Sequence, residues 1–272
     1  MRQLSLPLFL LFAVTFSVGC KSKPETKGSN EQLIKEMPEE KTRVNKEASE
    51  ALVQKALESV ASRDWRNAER YYGAAIKNDP DNWRLYMDRA IAQSKVPDFL
   101  GAISTMRQAL EKGGEREWVA WFNLGNIYQN RGMYYESIQA YRVAHGLTTE
   151  PNLDILVNIS SGYIFLGQYD EAQETLSYIL SIEPQELRAL HNEAMILHLQ
   201  REYDKALLAY DAVLAIDSSF AQSHFNKGHA FTALKRFREG AAAYERYLQI
   251  EPDGPYATRA KTRAEALRKE GN

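Results

Sequence analysis

Small and bulky apolar residues return along this chain at a period near 34 residues. An alanine, serine or glycine stands at Ala68, Ala102, Ser137, Ala172, Ala206 and Gly240, and an aromatic stands three residues before each, at Trp65, Phe99, Tyr134, Tyr169, Tyr203 and Phe237. If units are counted from Ser49, Trp83, Trp118, Leu153, Leu187 and Ala221, position 8 is small in every unit and position 24 is bulky in every unit. Between these marks the apolar residues recur at helical spacing in two stretches of about 14 residues, as in 153–166 and 169–182, joined by a short turn. Each unit is therefore predicted to be a pair of amphipathic helices. Small residues at positions 8 and 20 let the two axes approach to about 8–10 Å. Pro80, Pro184 and Pro252 end second helices, because proline has no amide to continue the ladder. No such pair buries its apolar face alone, so stability must come from stacking.

This pattern resembles the tetratricopeptide repeat. The third unit matches most fully, with Trp121, Leu124, Gly125, Tyr128, Tyr141 and Ala144 at the family's signature positions. The resemblance covers 49–254 as six units: 49–82, 83–117, 118–152, 153–186, 187–220 and 221–254. It implies an all-α solenoid of six helix pairs, and a protein that recognises other proteins. The second unit departs most, with Pro97 in its turn and Gly113-Gly114 where proline is usual. A capping helix is expected over 255–272, where Tyr256, Ala260, Ala264 and Leu267 form an apolar stripe and Arg259, Lys261, Arg263, Arg268 and Lys269 cover the remainder. A nucleic-acid partner for this basic segment is disfavoured by the formal net charge of -2 and by the export signal.

The other end reads as that signal. Arg2 precedes an apolar run from Leu4 to Val18, then Gly19 and Cys20. The run is shorter than the roughly 20 residues a membrane span needs. Cys20 is the only cysteine of the 272 residues, which excludes an intrachain disulfide. It resembles the acylated residue of a bacterial lipoprotein, with 1–19 as signal peptide and 20–48 as tether and start of the first helix. Pro38-Glu39-Glu40 reads as a first helical turn. Ser17 stands where lipoprotein signals prefer leucine. Ordinary cleavage after Gly19 and an uncleaved anchor are the competing readings. Lys21 resembles the residue after the cysteine in lipoproteins sent to the outer membrane, facing the periplasm.

Candidate chemistry is sparse. His191 and His198 lie seven residues apart on one helix, about 10 Å along its axis, too far to chelate one metal. With His229 they are expected to line a groove. The chain holds no glycine-rich phosphate loop, no HExxH and no serine elbow, so the expectation is no catalytic residue, no metal, no cofactor and no small-molecule substrate. Position 6 reads Gln54, Asp88, Asn123, Asn158, Asn192 and Asn226. These asparagines resemble the ladder along the inner surface of some tetratricopeptide superhelices, which implies an extended peptide segment of a protein partner. An amide offers donors and an acceptor, matching any peptide unit. The competing reading is that they bond between adjacent helices and only hold the stack. Phe122, His191 and Phe225 at position 5 and Asn126 at position 9 are expected to flank the ladder. Some tetratricopeptide domains clamp a C-terminal carboxylate with a lysine at position 5; no unit here carries one, so the resemblance does not imply that mode. The whole resembles lipid-anchored proteins that help envelope machines assemble, with a pilotin for type IV pilus secretins or an adaptor for cell-wall hydrolases as alternatives.

Overall fold

The structure, a computed structural model, describes residues 37–96 and 98–271, with side chains from residue 45. The signal segment, Cys20, the tether up to residue 36 and Pro97 lie outside the described residues. The chain divides into Met1–Arg43, described only as helical backbone from Met37, and a compact unit, Val44–Asn272, that holds the repeats.

Among the described residues every regular element is helical. The first helices of the six pairs are α1 (Met37–Ala61), α3 (Trp83–Lys95), α5 (Trp118–Asn130), α7 (Leu153–Phe165), α9 (Leu187–Leu199) and α11 (Ala221–Ala233). The second helices are α2 (Trp65–Asn78), α4 (Phe99–Glu111), α6 (Tyr134–Gly146), α8 (Tyr169–Ile182), α10 (Tyr203–Ile216) and α12 (Phe237–Ile250), followed by a single helix, α13 (Ala257–Glu270).

Local chemistry sets where these helices start and stop. Asp64, Asp98 and Asn152 accept hydrogen bonds from the backbone amides of Asn67, Gly101 and Ile155 at 3.2, 3.0 and 3.2 Å. Each satisfies a donor that the first turn leaves without an intrahelical partner. The turn inside a pair reverses the chain through one left-handed residue at position 15, with φ of 58° at Arg63, 78° at Gly132, 73° at Gly167, 66° at Arg201 and 59° at Lys235. In the second pair that position is Pro97. The link from α4 to α5 uses the Gly113-Gly114 pair differently. Gly113 takes φ 116° and leads into a short 3₁₀ turn, Gly114–Arg116, whose Glu115 carbonyl accepts from Trp121 Nε1 at 3.0 Å.

Packing explains the small-and-bulky period. A Cβ on Gly125 would lie 2.4 Å from the Tyr141 ring, and one on Gly228 would lie 2.6 Å from the Tyr244 ring. Position 8 is thus the seat for the large side chain at position 24 of the same pair. Successive pairs then share clusters, the largest of which joins Ile138 and Tyr141 to Ile155, Leu176, Ile179 and Ile196. At the end of the stack α13 buries Ala260, Ala264 and Leu267 against Phe225, Tyr244 and Tyr247. The capping role expected for this helix has its apolar stripe here.

Candidate functional site

Positions 6, 9, 12 and 13 of a first helix share one face, because they are separated by three or four residues. In the second, third and fourth pairs that face opens into a concavity of about 220 Å³. From α3 come Ile91, Ser94 and Lys95, and from α5 come Asn123, Asn126, Gln129 and Asn130. Asn158 of α7 closes the far wall. Of the eight expected groove residues the structure brings Asn123, Asn126 and Asn158 together here. Ser94, Lys95, Gln129 and Asn130 were missed by sequence reasoning, although they stand one turn beyond position 9 on the same face.

The amides are oriented by neighbours. Tyr141 Oη, from the second helix of the same pair, donates to Asn126 Oδ1 at 2.8 Å. Asn158 Nδ2 reaches the same oxygen at 3.5 Å, the long limit of such a bond. Asn123 Nδ2 donates to Val119 O on its own helix at 2.9 Å. Burial pushes the Tyr141 phenol well above its ordinary pKa, so it is a neutral donor at every physiological pH.

Further along the stack the same positions do something else. Asn192 is 6% exposed and donates from Nδ2 to Ser160 Oγ at 3.2 Å and Ser161 Oγ at 3.1 Å, both on α7. Asn226 Nδ2 meets His191 Nε2 at 3.2 Å, and His191 Nδ1 meets Ser223 Oγ at 2.9 Å. These bonds tie α7 to α9 and α9 to α11. The expectation that His191 and Phe225 flank an open ladder is corrected by their burial, at 8% and 5% exposure. His191 sits with its ring 5.3 Å from both Tyr210 and Phe220, and burial pushes its pKa down to about 4. Phe225 stacks at 4.7 Å on Tyr256, which the segment leading into α13 lays over it. Phe122 is half-buried and packs edge-on against Trp118 at 6.0 Å and tilted against Tyr141 at 5.7 Å, outside the concavity.

The rings of His198 and His229 approach to 6.5 Å, edge to face. Burial lowers both pKa values, and for His229, pushed down to about 4, His198, Arg263 and Arg259 add to the effect. Among the described residues no three histidine, cysteine or acidic side chains converge in a way that could hold a metal ion.

Two features lie away from the expected residues. Asp88, at position 6 of the second pair, is a largely buried carboxylate whose pKa burial raises to about 6, with Arg84 opposing the shift. On the opposite side of the helix pairs, the second helices leave shallow clefts between successive repeats. One lies among Arg107, Leu110, Trp121, Tyr128, Tyr135 and Val143, and the next repeats it with Arg142, Tyr163 and Tyr178. In both an arginine donates to the tyrosine hydroxyl of the following first helix, from Arg107 to Tyr128 at 3.3 Å and from Arg142 to Tyr163 at 2.5 Å. The sequence signal for these clefts was Tyr135 and Tyr178, large aromatic residues at positions where a solvent-facing helix surface would be polar.

Comparison with known proteins places this geometry. Tetratricopeptide-repeat families match residues 53–94, 160–220 and 200–255, and, through a second family of the same description, residues 119–144. The chain is 22% identical over 181 residues to BBSome complex member BBS4 from Bos taurus, covering 66% of this chain and 34% of that one. It is 21% identical over 206 residues to the TPR repeat-containing protein YpiA from Bacillus subtilis, covering 74% and 47%. It thus spans less than half the length of these two relatives. Among solved structures, PilW, described as a widely conserved type IV pilus biogenesis factor, superposes with a TM-score of 0.62 at 20% identity, covering 78% of this chain and 97% of that one.

Proposed function

The chain belongs to the tetratricopeptide-repeat family, whose members are protein-interaction scaffolds, and on that premise we propose that it holds an extended segment of a partner protein along its inner face. The observation that carries the reading is the convergence of Asn123, Asn126, Gln129, Asn130 and Asn158 on one concavity. The α5 and α7 faces would line up these carboxamides along a bound backbone, with Ser94 and Lys95 of α3 beside them. Each carboxamide pairs with peptide N–H and C=O groups whatever side chain the peptide carries.

The cellular setting follows from the leader. Lipid on Cys20 anchors the protein to the bacterial outer membrane on its periplasmic side, where the scaffold aids assembly of an envelope complex. A single acyl chain binds membranes marginally, whereas two or more hold firmly, so Cys20→Ser is expected to release a folded protein from the membrane fraction. The second reading, a pilotin for a pilus secretin, draws on the likeness to PilW, which is one of fold.

The test separates binding from folding. Asn158→Ala with Asn130→Ala removes two pocket amides, and each lost bond should weaken partner binding by about 0.5–1.5 kcal/mol with little change in melting. Asn192→Ala leaves Ser160 and Ser161 without their donor, and should lower stability instead. A partner trapped by photocrosslinking at Lys95 provides the titrant. Binding unchanged in the pocket variant would remove the inner face from consideration.

A further inference from the structure

An amide ladder grips a peptide but barely distinguishes its two directions, since each carboxamide presents a donor and an acceptor side by side. Charge is what could impose a direction, and the inner face distributes its charge unusually. Positions 5, 6 and 9 of the six repeats comprise eighteen side chains, and apart from histidines the one ionisable group among them is Asp88. It lies on α3 one turn before Ile91, which lines the concavity with Ser94 and Lys95. Its carboxylate makes no ion pair among the described residues. Arg84, the charge that acts on it most, has its guanidinium 4.6 Å over the Trp83 ring.

The far end is the mirror case. Continuing the period from Ala221 puts Pro255 at a seventh first position, so Arg259 and Arg263 of α13 occupy positions 5 and 9 of an incomplete unit. Both are exposed, and both act electrostatically on His229, which holds position 9 of the sixth repeat. Neither makes an ion pair among the described residues, whereas Arg268 on the same helix pairs with Glu245 at 2.8 Å. At positions 5, 6 and 9, therefore, the second repeat carries one unpaired carboxylate and α13 carries two unpaired guanidinium groups, while Lys95 at position 13 is the charged residue lining the concavity itself.

We propose that Asp88 and the Arg259–Arg263 pair form the two poles of the inner face, selecting a partner segment that carries a basic side chain at one end and an acidic side chain at the other, and so fixing its direction. This deepens the peptide-scaffold reading and rests on it. A partly buried carboxylate without a donor is stabilised by an incoming ammonium or guanidinium, and the fork of an arginine matches a carboxylate in two-point contact. The pole-to-pole distance sets the length of the segment. Five steps between first helices at about 8–10 Å each give about 40–50 Å, which an extended chain covers in about 12–15 residues.

The experiment is selection of a displayed library of random 20-residue peptides by the purified full chain, read by sequencing. The expected result is at least a tenfold enrichment of one charge order, basic-to-acidic or acidic-to-basic, over its reverse, with the two charges about 12–15 residues apart. Asp88→Asn should lose the basic preference and keep the acidic one; Arg259→Ala with Arg263→Ala should do the converse. A charge exchange, Asp88→Lys with Arg259→Glu and Arg263→Glu, should invert the selected order. Equal enrichment of both orders by the wild-type chain, or an unchanged order in both single-pole variants, overturns the proposal. Circular dichroism confirms that each variant is folded, and the single-pole variants decide the matter if the exchanged one is not. The scaffold reading fails separately: if no peptide is enriched, or if enriched peptides bind the Asn158→Ala, Asn130→Ala variant unchanged, the segment does not lie on this face.

Discussion

Acidification is expected to loosen the joint between the fifth and sixth repeats, through His191. The ring is 8% exposed, its Nδ1 is 2.9 Å from Ser223 Oγ and its Nε2 is 3.2 Å from Asn226 Nδ2. With the Asn226 amide donating to Nε2, the neutral ring carries its proton on Nδ1 and donates to Ser223. A second proton on Nε2 would face that amide donor, and it would also bury a charge. Burial holds the folded pKa down at about 4, against 6.5 for a free histidine. The group's folded pKa is depressed, so the unfolded chain takes the proton first as pH falls. Stability is intact above pH 6.5, declines as pH drops towards 4, and levels off below it. Linkage over that gap gives a loss of about 2 kcal/mol from pH 7 to pH 5 and about 3 kcal/mol by pH 4. His191→Gln, which cannot titrate, should remove that share of the pH dependence at some fixed cost in stability. Other groups titrate in the same window: His198 and His229 in the same sense, and Asp88, with its raised pKa, in the opposite one. The informative quantity is therefore the difference between wild type and variant at each pH. Urea unfolding followed by circular dichroism, with hydrogen exchange on α9 and α11 peptides to localise the effect, measures it. Identical pH profiles for the two proteins would refute the assignment.

Gly125→Ala should destabilise by about 1–3 kcal/mol because its methyl group would overlap the Tyr141 ring, whereas Gly146→Ala meets nothing within 4 Å and should be tolerated; thermal melts compare the two. Arg201→Gly and Lys235→Gly should each raise stability by about 0.5–1 kcal/mol, since both residues hold left-handed φ values of 66° and 59° that glycine adopts without strain. Deleting residues 255–272 removes Tyr256 from Phe225 and uncovers the surface that Leu267, Ala260 and Ala264 bury, so it should cost about 3–5 kcal/mol in the last repeat and promote self-association, seen by light scattering.

The fold was legible because its determinants are sizes at fixed positions. Ala56, Ala90, Gly125 and Gly228 announce the close approach of two helices, and Tyr72, Tyr141 and Tyr244 announce what fills the space beside it. The site was half legible. Asn123, Asn126 and Asn158 fall where their period puts them, on an open face. His191 and Phe225 share that period but not that fate, because their surroundings come from residues outside it. Phe220 precedes the sixth unit and packs on His191; Tyr256 follows the sixth unit and covers Phe225. A register assigns a face to each side chain, but loop residues determine whether the face is open. Asp88 could be read from its position as an exception among amides, yet that Arg84 lies over the Trp83 ring rather than in an ion pair with this carboxylate is something no spacing reveals.

Helix contacts in the repeats run within each pair and from it to the next, as in α5 with α6, α6 with α7 and α7 with α8. The molecule is in that sense countable. Duplicating 153–186 in frame would add one first helix, one Asn158 and one increment of inner face, and would ask nothing of distant repeats. Inserting a single residue within a helix would rotate every later position by about 100° and destroy the register. Change by whole units is thus the accessible route for such a gene. A partner whose bound segment grows or shrinks could be followed by copy number, with the Asp88 and Arg259 ends carried along unaltered.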